Sequence, residues 1–485
     1  MLLSELLARL DDVCVENFRE CRVRSVTQDS RCVSDGCVFV AREGTRTDGN
    51  LFAGDAAARG ACAVVTEKVD LKKCSVTTII SKNATKTMAE IAKALYGDAL
   101  LDMTIVGITG TKGKTSTLKI LSECILSAGH YLVTVGTLGA EISASVCEHY
   151  DTENTTPDAP FIYKTLHRAR SLGAKIAVVE VSSQALSELR VYGIPFTVCV
   201  FTNISHDHIG IHEHKSFEDY LLAKRSLFVD YKPRVAVVNS DDENWHRIAD
   251  GCPRVIKVGA AGEYQYRHIA ADAEHTAFSL CTETFSLSVG GAFNGMNAAL
   301  ALVTASEVLG CGIGDFAECL GNIRIPGRYE LYRLRGIGIV IDFAHNGQSV
   351  AAIAESVRLH THGRLILVFG SVGDRCHSRR AELARAAESA ADLSVITSDN
   401  PGFESADAIA REIYSHFRDK SRAVIITDRA QAIRYAIDMA HDGDSVLLLG
   451  KGQESYQLTD KGRIYFSERE IIESLGASPV RHGKR

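Results

Sequence analysis

The chain is predicted to be α/β, folded as three consecutive α/β regions. Three observations predict this. A length of 485 residues exceeds what one ordinary hydrophobic core holds. Short apolar runs alternate with helix-periodic segments from end to end, the βα pattern of parallel sheets. One strand-to-helix junction, MTIVGITGTKGKTSTLKIL (103–121), carries glycines, a lysine and hydroxyls in the order of a phosphate loop.

Composition narrows the class. Hydrophobic residues make up 46% and charged residues 24%, as in globular proteins rather than disordered ones. The formal net charge is -6, and the short RHGKR tail is the one basic cluster, so no nucleic-acid partner is expected. No apolar stretch has the length of a membrane-spanning helix. The opening MLLSELLARLDDV reads as an amphipathic helix and not as an export signal, which places the protein in the cytoplasm. The 14 cysteines include no C-x-x-C pair and often lie in apolar runs, which predicts reduced, buried thiols.

The elements follow in order. Residues 1–102 contain strands at CVFVA (37–41), CAVVT (62–66) and TTIIS (77–81). Residues 103–328 contain MTIVGIT, KIAVVEV, FTVCVFTNI and RVAVVN. Residues 329–485 contain GIVIDFA, RLILVFG, LSVITS, AVIIT and SVLLLG. No internal repeat or low-complexity linker separates them.

In the central region the strand should end near Thr109. Gly110 and Gly113 permit a tight turn and close backbone approach. Lys114 can reach terminal phosphates, Thr115 can offer a hydroxyl to Mg2+, and the helix from about Ser116 presents its N-terminus to the anion. Ile108 stands where the common phosphate-loop spacing has glycine, and no N-K-x-D motif exists, so a GTPase is disfavoured. Two further strands end in polar groups: Glu180 in KIAVVEVSS, and Asn203, Asp207 and His208 in FTVCVFTNISHDH. Ligands of open parallel sheets bind beyond the carboxyl ends of strands, so Glu180 and His208 can converge on the loop's metal.

His206, His208, His212 and His214 crowd into SHDHIGIHEH (205–214), which by itself invites a zinc reading. In the next segment, Ser216 and Asp219 form a capping box. Phe217, Tyr220, Leu221, Leu227 and Phe228 make a helical apolar stripe, with Lys224 on it. That lysine either snorkels to solvent or is desolvated. In the second case its neutral amine can take up CO2 to give a carbamate.

TGTKGKTS, EVSSQAL, TNISHDH, AKRSLF, PGRYE, DFAH, SDNP and GKGQE occur here in the order seen in the Mur ligases. With DSR (29–31) and NTTP (154–157), the chain resembles their MurE branch over nearly all its length. The resemblance implies a UDP-sugar-binding domain (1–102), a P-loop-type ATPase domain (103–328) and a Rossmann-like amino-acid domain (329–485). It implies Mg2+- and ATP-dependent extension of UDP-MurNAc-L-Ala-D-Glu through an acyl phosphate, in peptidoglycan precursor synthesis, by a monomer.

Residue roles come with it. Gly110, Thr111, Lys112, Gly113, Lys114, Thr115, Ser116, Asn294, Arg328 and Asp342 match nucleotide-binding positions. Thr115, Glu180, His208 and carbamylated Lys224 match metal ligands. Ser30, Asn154, Thr155, Thr156, Ser182 and Arg190 match positions holding the UDP-sugar dipeptide. Arg375, Asp399, Asn400, Gly450 and Glu454 match the amino-acid pocket. His206, His212 and His214 are then expected to be solvated or hydrogen-bonded in the loop before Ser216.

The amino acid added is read from SDNPGFE. Enzymes of this branch that add meso-diaminopimelate resemble each other in a D-N-P-R motif, whose arginine grips the extra carboxylate. Here Gly402 takes that place. Gln184 and Asn346-Gly347 also depart from that pattern. L-Lysine is therefore favoured, with L-ornithine possible and Glu454 or Asp399 facing the distal ammonium. Diaminopimelate is the alternative, with Arg379 or Arg380 replacing the missing cation. From other classes come a zinc hydrolase built on the histidines and a nucleotide-regulated binding protein.

Overall fold

The computed structural model describes residues 1–44, 47–68, 75–206, 210, 214–373 and 377–480. Their strands form three large sheets and one hairpin. In the first sheet, Val13–Glu16, Thr77–Ser81, Ala61–Thr66, Cys37–Ala41 and Ser25–Thr27 lie side by side. All neighbours are parallel except the Val13–Glu16 edge. CVFVA shows no polar alternation because both its faces are covered. Val38 and Val40 pack toward Met88 and Ile91 of the Ala84–Tyr96 helix, and Phe39 packs toward Ala53 and Ala56 of the Ala53–Ala58 helix.

The second sheet has eleven strands. At its centre the phosphate-loop strand Thr104–Thr109 runs parallel between Val198–Phe201 and Ile176–Glu180. Ile108 pairs with Glu180, and Thr109 with Phe201. The carboxyl ends of these three strands therefore open onto one crevice, which positions the site. The third sheet holds Ala423–Ile425, Leu393–Ile396, Leu365–Phe369, Ser445–Leu449 and Ile337–Asp342 in parallel. Tyr456–Thr459 and Gly462–Tyr465 form the separate hairpin.

Three expectations are corrected. The sheets are not parallel throughout. Antiparallel strands extend the second at both ends (Thr276–Leu280 and Glu283–Leu287; Gly139–Ser143 and Glu148–Tyr150) and the third at one, through Glu330–Leu334. Such edge strands bury one face, so they lack the unbroken apolar run of a central strand. The opening stretch is helical only over Leu3–Leu7; Asp12 turns the chain with φ 54°, and Val13–Glu16 is a strand. Among the described cysteines, Cys37, Cys124 and Cys199 are buried, whereas Cys14, Cys32, Cys147 and Cys281 are exposed; none is in a disulfide.

Among the described residues no single helix is long and apolar enough to cross a membrane. The most apolar one, Phe293–Leu309, is buried along Asn297–Ala305 against the core of the central sheet.

Candidate functional site

The strand Thr104–Thr109 gives way to a four-residue loop and the helix Lys114–Ser127. Glycine is obligatory at two points. Gly110 has φ 155°, and a Cβ there would collide with Thr202 Oγ1. Gly113 caps the helix at φ 84°, and a Cβ would collide with Asn297 Oδ1. The neighbouring strand holds the loop in shape. Asn203 accepts from Lys112 N (3.0 Å) and donates to Lys112 O (3.0 Å), and its own carbonyl accepts from Thr111 N (2.8 Å). Lys114 Nζ folds over the loop onto the carbonyls of Gly110 (2.7 Å) and Thr111 (3.2 Å). Ser116 is buried in the first turn of the helix.

Glu180, 1% exposed, stands beside the loop. Its Oε2 accepts from Thr115 Oγ1 (3.1 Å) and Thr137 Oγ1 (3.1 Å), and Oε1 accepts from Thr137 N (2.9 Å). Hydroxyl and carboxylate oxygens are the donor set that suits a hard divalent cation such as Mg2+.

Lys224 approaches from the helix Phe217–Val229. It is 1% exposed, donates to Gly110 O (3.0 Å) and lies 4.5 Å from the centroid of the Tyr220 ring. The snorkelling alternative is thus corrected: this end of the stripe packs under the phosphate loop, so Nζ cannot reach bulk water. The capping box is half formed. Ser216 Oγ accepts from Asp219 N (3.1 Å), but Asp219 Oδ2 accepts from Lys215 N (3.1 Å), not from Ser216 N.

His208 and His212 lie outside the described residues, as does Arg375. His206 stacks on Phe217 at 4.5 Å. His214 is 8% exposed, beside Tyr220 and 3.5 Å from Asp219, so it is buried rather than solvated. Among the described residues no group of three histidine, cysteine or acidic side chains is placed to hold a metal.

On the far side of Glu180, Thr156 Oγ1 donates to Glu180 O (2.8 Å), accepts from Ser182 N (3.0 Å), and sits 3.3 Å from Ser182 Oγ. Arg190 Nη1 holds Thr156 O (2.8 Å). Thr155 Oγ1 lies 3.0 Å from Thr137 Oγ1, and Asn154 is exposed. Ser30 opens a short 3-10 turn in the first sheet's region, a segment whose neighbour Gln28 donates to Asp158 (3.1 Å). Thr155, Thr156, Ser182 and Arg190 thus adjoin the phosphate loop through Glu180, and Ser30 is not among its contacts.

Arg328 joins the central and third sheets. It donates to Thr115 Oγ1 (3.4 Å) and to Gln453 Oε1 (3.0 Å), and its guanidinium lies 4.6 Å over the Phe343 ring. Burial lowers its pKa, while Asp342, Glu180 and Glu454 oppose the shift. Burial conversely raises the Asp342 carboxyl, which accepts from Tyr329 N (2.9 Å) and Ala344 N (2.8 Å). Asn294 is fully buried and donates to Gly290 O (2.8 Å); its Oδ1 meets Asn297 Nδ2 at 3.3 Å.

At the ends of the third sheet's strands, Asp399, Asn400, Gly450 and Glu454 form a second cluster around Lys451. Lys451 Nζ donates to Asn400 Oδ1 (2.8 Å) and Glu454 Oε2 (2.8 Å) and is 4.0 Å from Asp399 Oδ1. Gly450 has φ 108°, and a Cβ would crowd Asp399 Oδ2 at 2.6 Å. Asp399 is buried, which raises its pKa, and its Oδ1 lacks a hydrogen-bond partner among the described residues. Arg380 is not free to replace an arginine at 402: it is paired with Glu404 (2.6 Å) and Glu412 (2.6 Å).

The sequence reading passed over Thr137, Asn297, Lys451 and Gln453. Lys451 and Gln453 lie inside the GKGQE motif, so the strand-end argument applied to SVLLLG would have found them. Thr137 and Asn297 carry no local signal; one sits in a turn, the other in a helix of near-uniform apolarity.

Comparison with known proteins bears on this arrangement. Three family descriptions match: Mur ligase family, catalytic domain, over residues 22–97; Mur ligase middle domain over 108–305; and Mur ligase, glutamate ligase domain, over 327–452. A UDP-N-acetylmuramoyl-L-alanyl-D-glutamate–2,6-diaminopimelate ligase of Aquifex aeolicus is 34% identical, with 94% of each chain covered. The like-named protein of Chlamydia muridarum is 36% identical over 97% of this chain and 98% of its own. A solved structure of a 2,6-diaminopimelate ligase of the same name is 28% identical, covers 94% of this chain and 96% of its own, and superposes with a TM-score of 0.62. The chain therefore belongs to the Mur ligase family of ATP-dependent amide-bond ligases.

Proposed function

We propose that the protein joins a diamino acid to the D-glutamate carboxyl of UDP-MurNAc-L-Ala-D-Glu at the expense of ATP. The observation that carries the reading is the crevice where Lys114, Thr115, Glu180 and Lys224 meet one phosphate loop. The glutamate carboxylate attacks the γ-phosphate, and the amino acid's amine then displaces phosphate from the acyl phosphate. Lys114 leaves its loop carbonyls to neutralise phosphoryl oxygens, and the amides after Gly113 face the anion. Thr115, Glu180 and His208 are the residues that would hold Mg2+, which when bound offsets charge on the transferring phosphoryl group. Lys224, through a carbamate formed with CO2 and loss of a proton, would add an anionic oxygen ligand; its burial beside Gly110 O supports this.

In this reading residues 1–102 with Ser30 hold the uridine end. Asn154, Thr155, Thr156, Ser182 and Arg190 hold the dipeptide, and 103–328 with Asn294, Arg328 and Asp342 hold ATP. Residues 329–485 take the amino acid through Arg375, Asp399, Asn400, Gly450 and Glu454. Asp399 Oδ1, which accepts no hydrogen bond among the described residues and has Lys451 Nζ at 4.0 Å, can accept one from an incoming ammonium. The monomeric, cytoplasmic setting rests on the sequence alone. Family membership sets aside the zinc hydrolase and the ligand-binding protein.

For the amino acid, we propose 2,6-diaminopimelate over lysine. The relatives named above support it, since each is named for that substrate. Gly402 favours the second reading, lysine or ornithine, but less strongly than the sequence implied. Gly402 has φ 61° and donates its N–H to Leu458 O (3.1 Å), a backbone state costing a side-chain-bearing residue about 1–2 kcal/mol. A cation stands close by on the hairpin. Arg463 pairs in register with Leu458, lies 4.5 Å over the Tyr456 ring, and reaches Glu153 at 3.6 Å. Phosphate release with ATP, Mg2+ and UDP-MurNAc-L-Ala-D-Glu, measured separately with meso-diaminopimelate, lysine and ornithine, tests both readings. Release with diaminopimelate alone supports the first, release with a basic amino acid alone supports the second, and no release with any of them overturns the ligase assignment of the substrate.

A further inference from the structure

The helix that starts at the phosphate loop carries a thiol near its far end. Cys124 is fully buried on Lys114–Ser127, and its Sγ lies 3.7 Å from Sγ of Cys319 on the short helix Ala317–Leu320. The two residues are 195 positions apart in the chain, so only the tertiary fold makes them neighbours. Cys319 is partly exposed and lines a cavity of about 430 Å³ together with Ser127, Cys311, Asp315 and Asn322. One sulfur is therefore reachable by a small solute, and the other is held against it. The two sulfurs are already at van der Waals contact, and a disulfide would bring them to about 2.0 Å.

We propose that Cys124 and Cys319 form a reversible disulfide, with a hydroperoxide as the oxidant. The Cys319 thiolate attacks the peroxide oxygen; a sulfenic acid forms and an alcohol or water leaves. The Cys124 thiol then attacks the sulfenic sulfur, forming the S–S bond and releasing water. Two electrons pass from the sulfurs to the peroxide, and a dithiol returns them. Cys319 is taken as the attacking sulfur because it lines the cavity while Cys124 is fully buried, and the hydrogen bond with Cys124 lowers the Cys319 pKa, in the same direction. Cys311, in the same cavity, is raised by desolvation and is not the nucleophile. The bond would tie the phosphate-loop helix to the segment that closes the central domain, and the amino-acid chemistry is not required for it.

The test uses the full-length reduced protein and hydrogen peroxide. Free thiols are alkylated, and the digest is searched for a Cys124–Cys319 peptide pair lacking two hydrogens. The pair is expected to form ahead of other linkages, to vanish with dithiothreitol, and to raise Tm by about 5 °C. In Cys124→Ser, Cys319 should instead accumulate as sulfinic acid, because its resolving thiol is gone. Peroxide that oxidises exposed Cys14, Cys147 or Cys281 while Cys124 and Cys319 stay reduced would overturn the proposal. So would a Cys319 oxidised to sulfinic acid at the same rate with and without Cys124. Should Cys124→Ser fail to fold, a time course on the wild-type protein decides: sulfenic acid trapped early at Cys319 must pass into the Cys124–Cys319 pair, and its passage to sulfinic acid instead would overturn the proposal.

Discussion

Lys114 is the residue whose removal tests the proposed ATP site most directly. Its ammonium donates to the loop carbonyls of Gly110 and Thr111, and a phosphate oxygen can take the place of either. Lys114→Ala should lower ATP-dependent phosphate release by about 10²–10³-fold, the scale of losing one preorganised charge. Retained turnover in a steady-state phosphate assay would sink the assignment. Arg429 makes a contrasting case. It is fully buried with Glu468 (2.8 Å), and it also donates to Ser398 O (3.1 Å) and Leu449 O (2.7 Å), the residues just before Asp399 and Gly450. Arg429→Met would strand a buried carboxylate and two carbonyls, so a stability loss of about 3–5 kcal/mol is expected by urea unfolding. A loss under about 1 kcal/mol would show that the pair does not brace these strand ends.

At the scale of elements, the helix Phe217–Val229 was legible because five apolar residues repeat at helical spacing behind Ser216. The burial of Lys224 was not, because a lysine on a stripe edge reads equally as a snorkel. What decides it is the phosphate loop packing across the helix from another strand. Lys224→Ala should inactivate the enzyme, with partial recovery in millimolar formate or acetate that replaces the lost carboxylate. Full activity without rescue would end the carbamate reading, and the variant's far-ultraviolet dichroism would separate misfolding from chemistry. The central strands were legible because burial on both faces leaves unbroken β-branched runs. The edge strands Glu283–Leu287 and Glu330–Leu334 were not, since half-buried segments look like surface.

At the scale of the molecule, Arg328 ties the central sheet to the third, touching Thr115 on one side and Gln453 on the other. Arg328→Ala should raise the KM for ATP by about tenfold or more, the effect expected if its guanidinium gives one charged hydrogen bond of roughly 1.5–3 kcal/mol to the nucleotide. It should also reduce the Tm gain that saturating ATP confers on the wild type. An unchanged KM with an unchanged ATP-induced shift in scanning calorimetry would place Arg328 outside the nucleotide site.

The sequence by itself determined the α/β class, the phosphate loop, the strand-end carboxylate Glu180 and membership in a ligase family. These are local: a glycine pattern, an apolar run and a motif order are all written in contiguous residues. The tertiary structure decided what contiguity cannot. It set Thr137 and Thr115 on Glu180, buried Lys224 beneath Gly110, paired Arg380 with Glu404 and Glu412, and brought Cys124 to Cys319. The physical reason is that burial and partnership depend on which strands lie side by side, and that order is fixed by the packing of whole sheets.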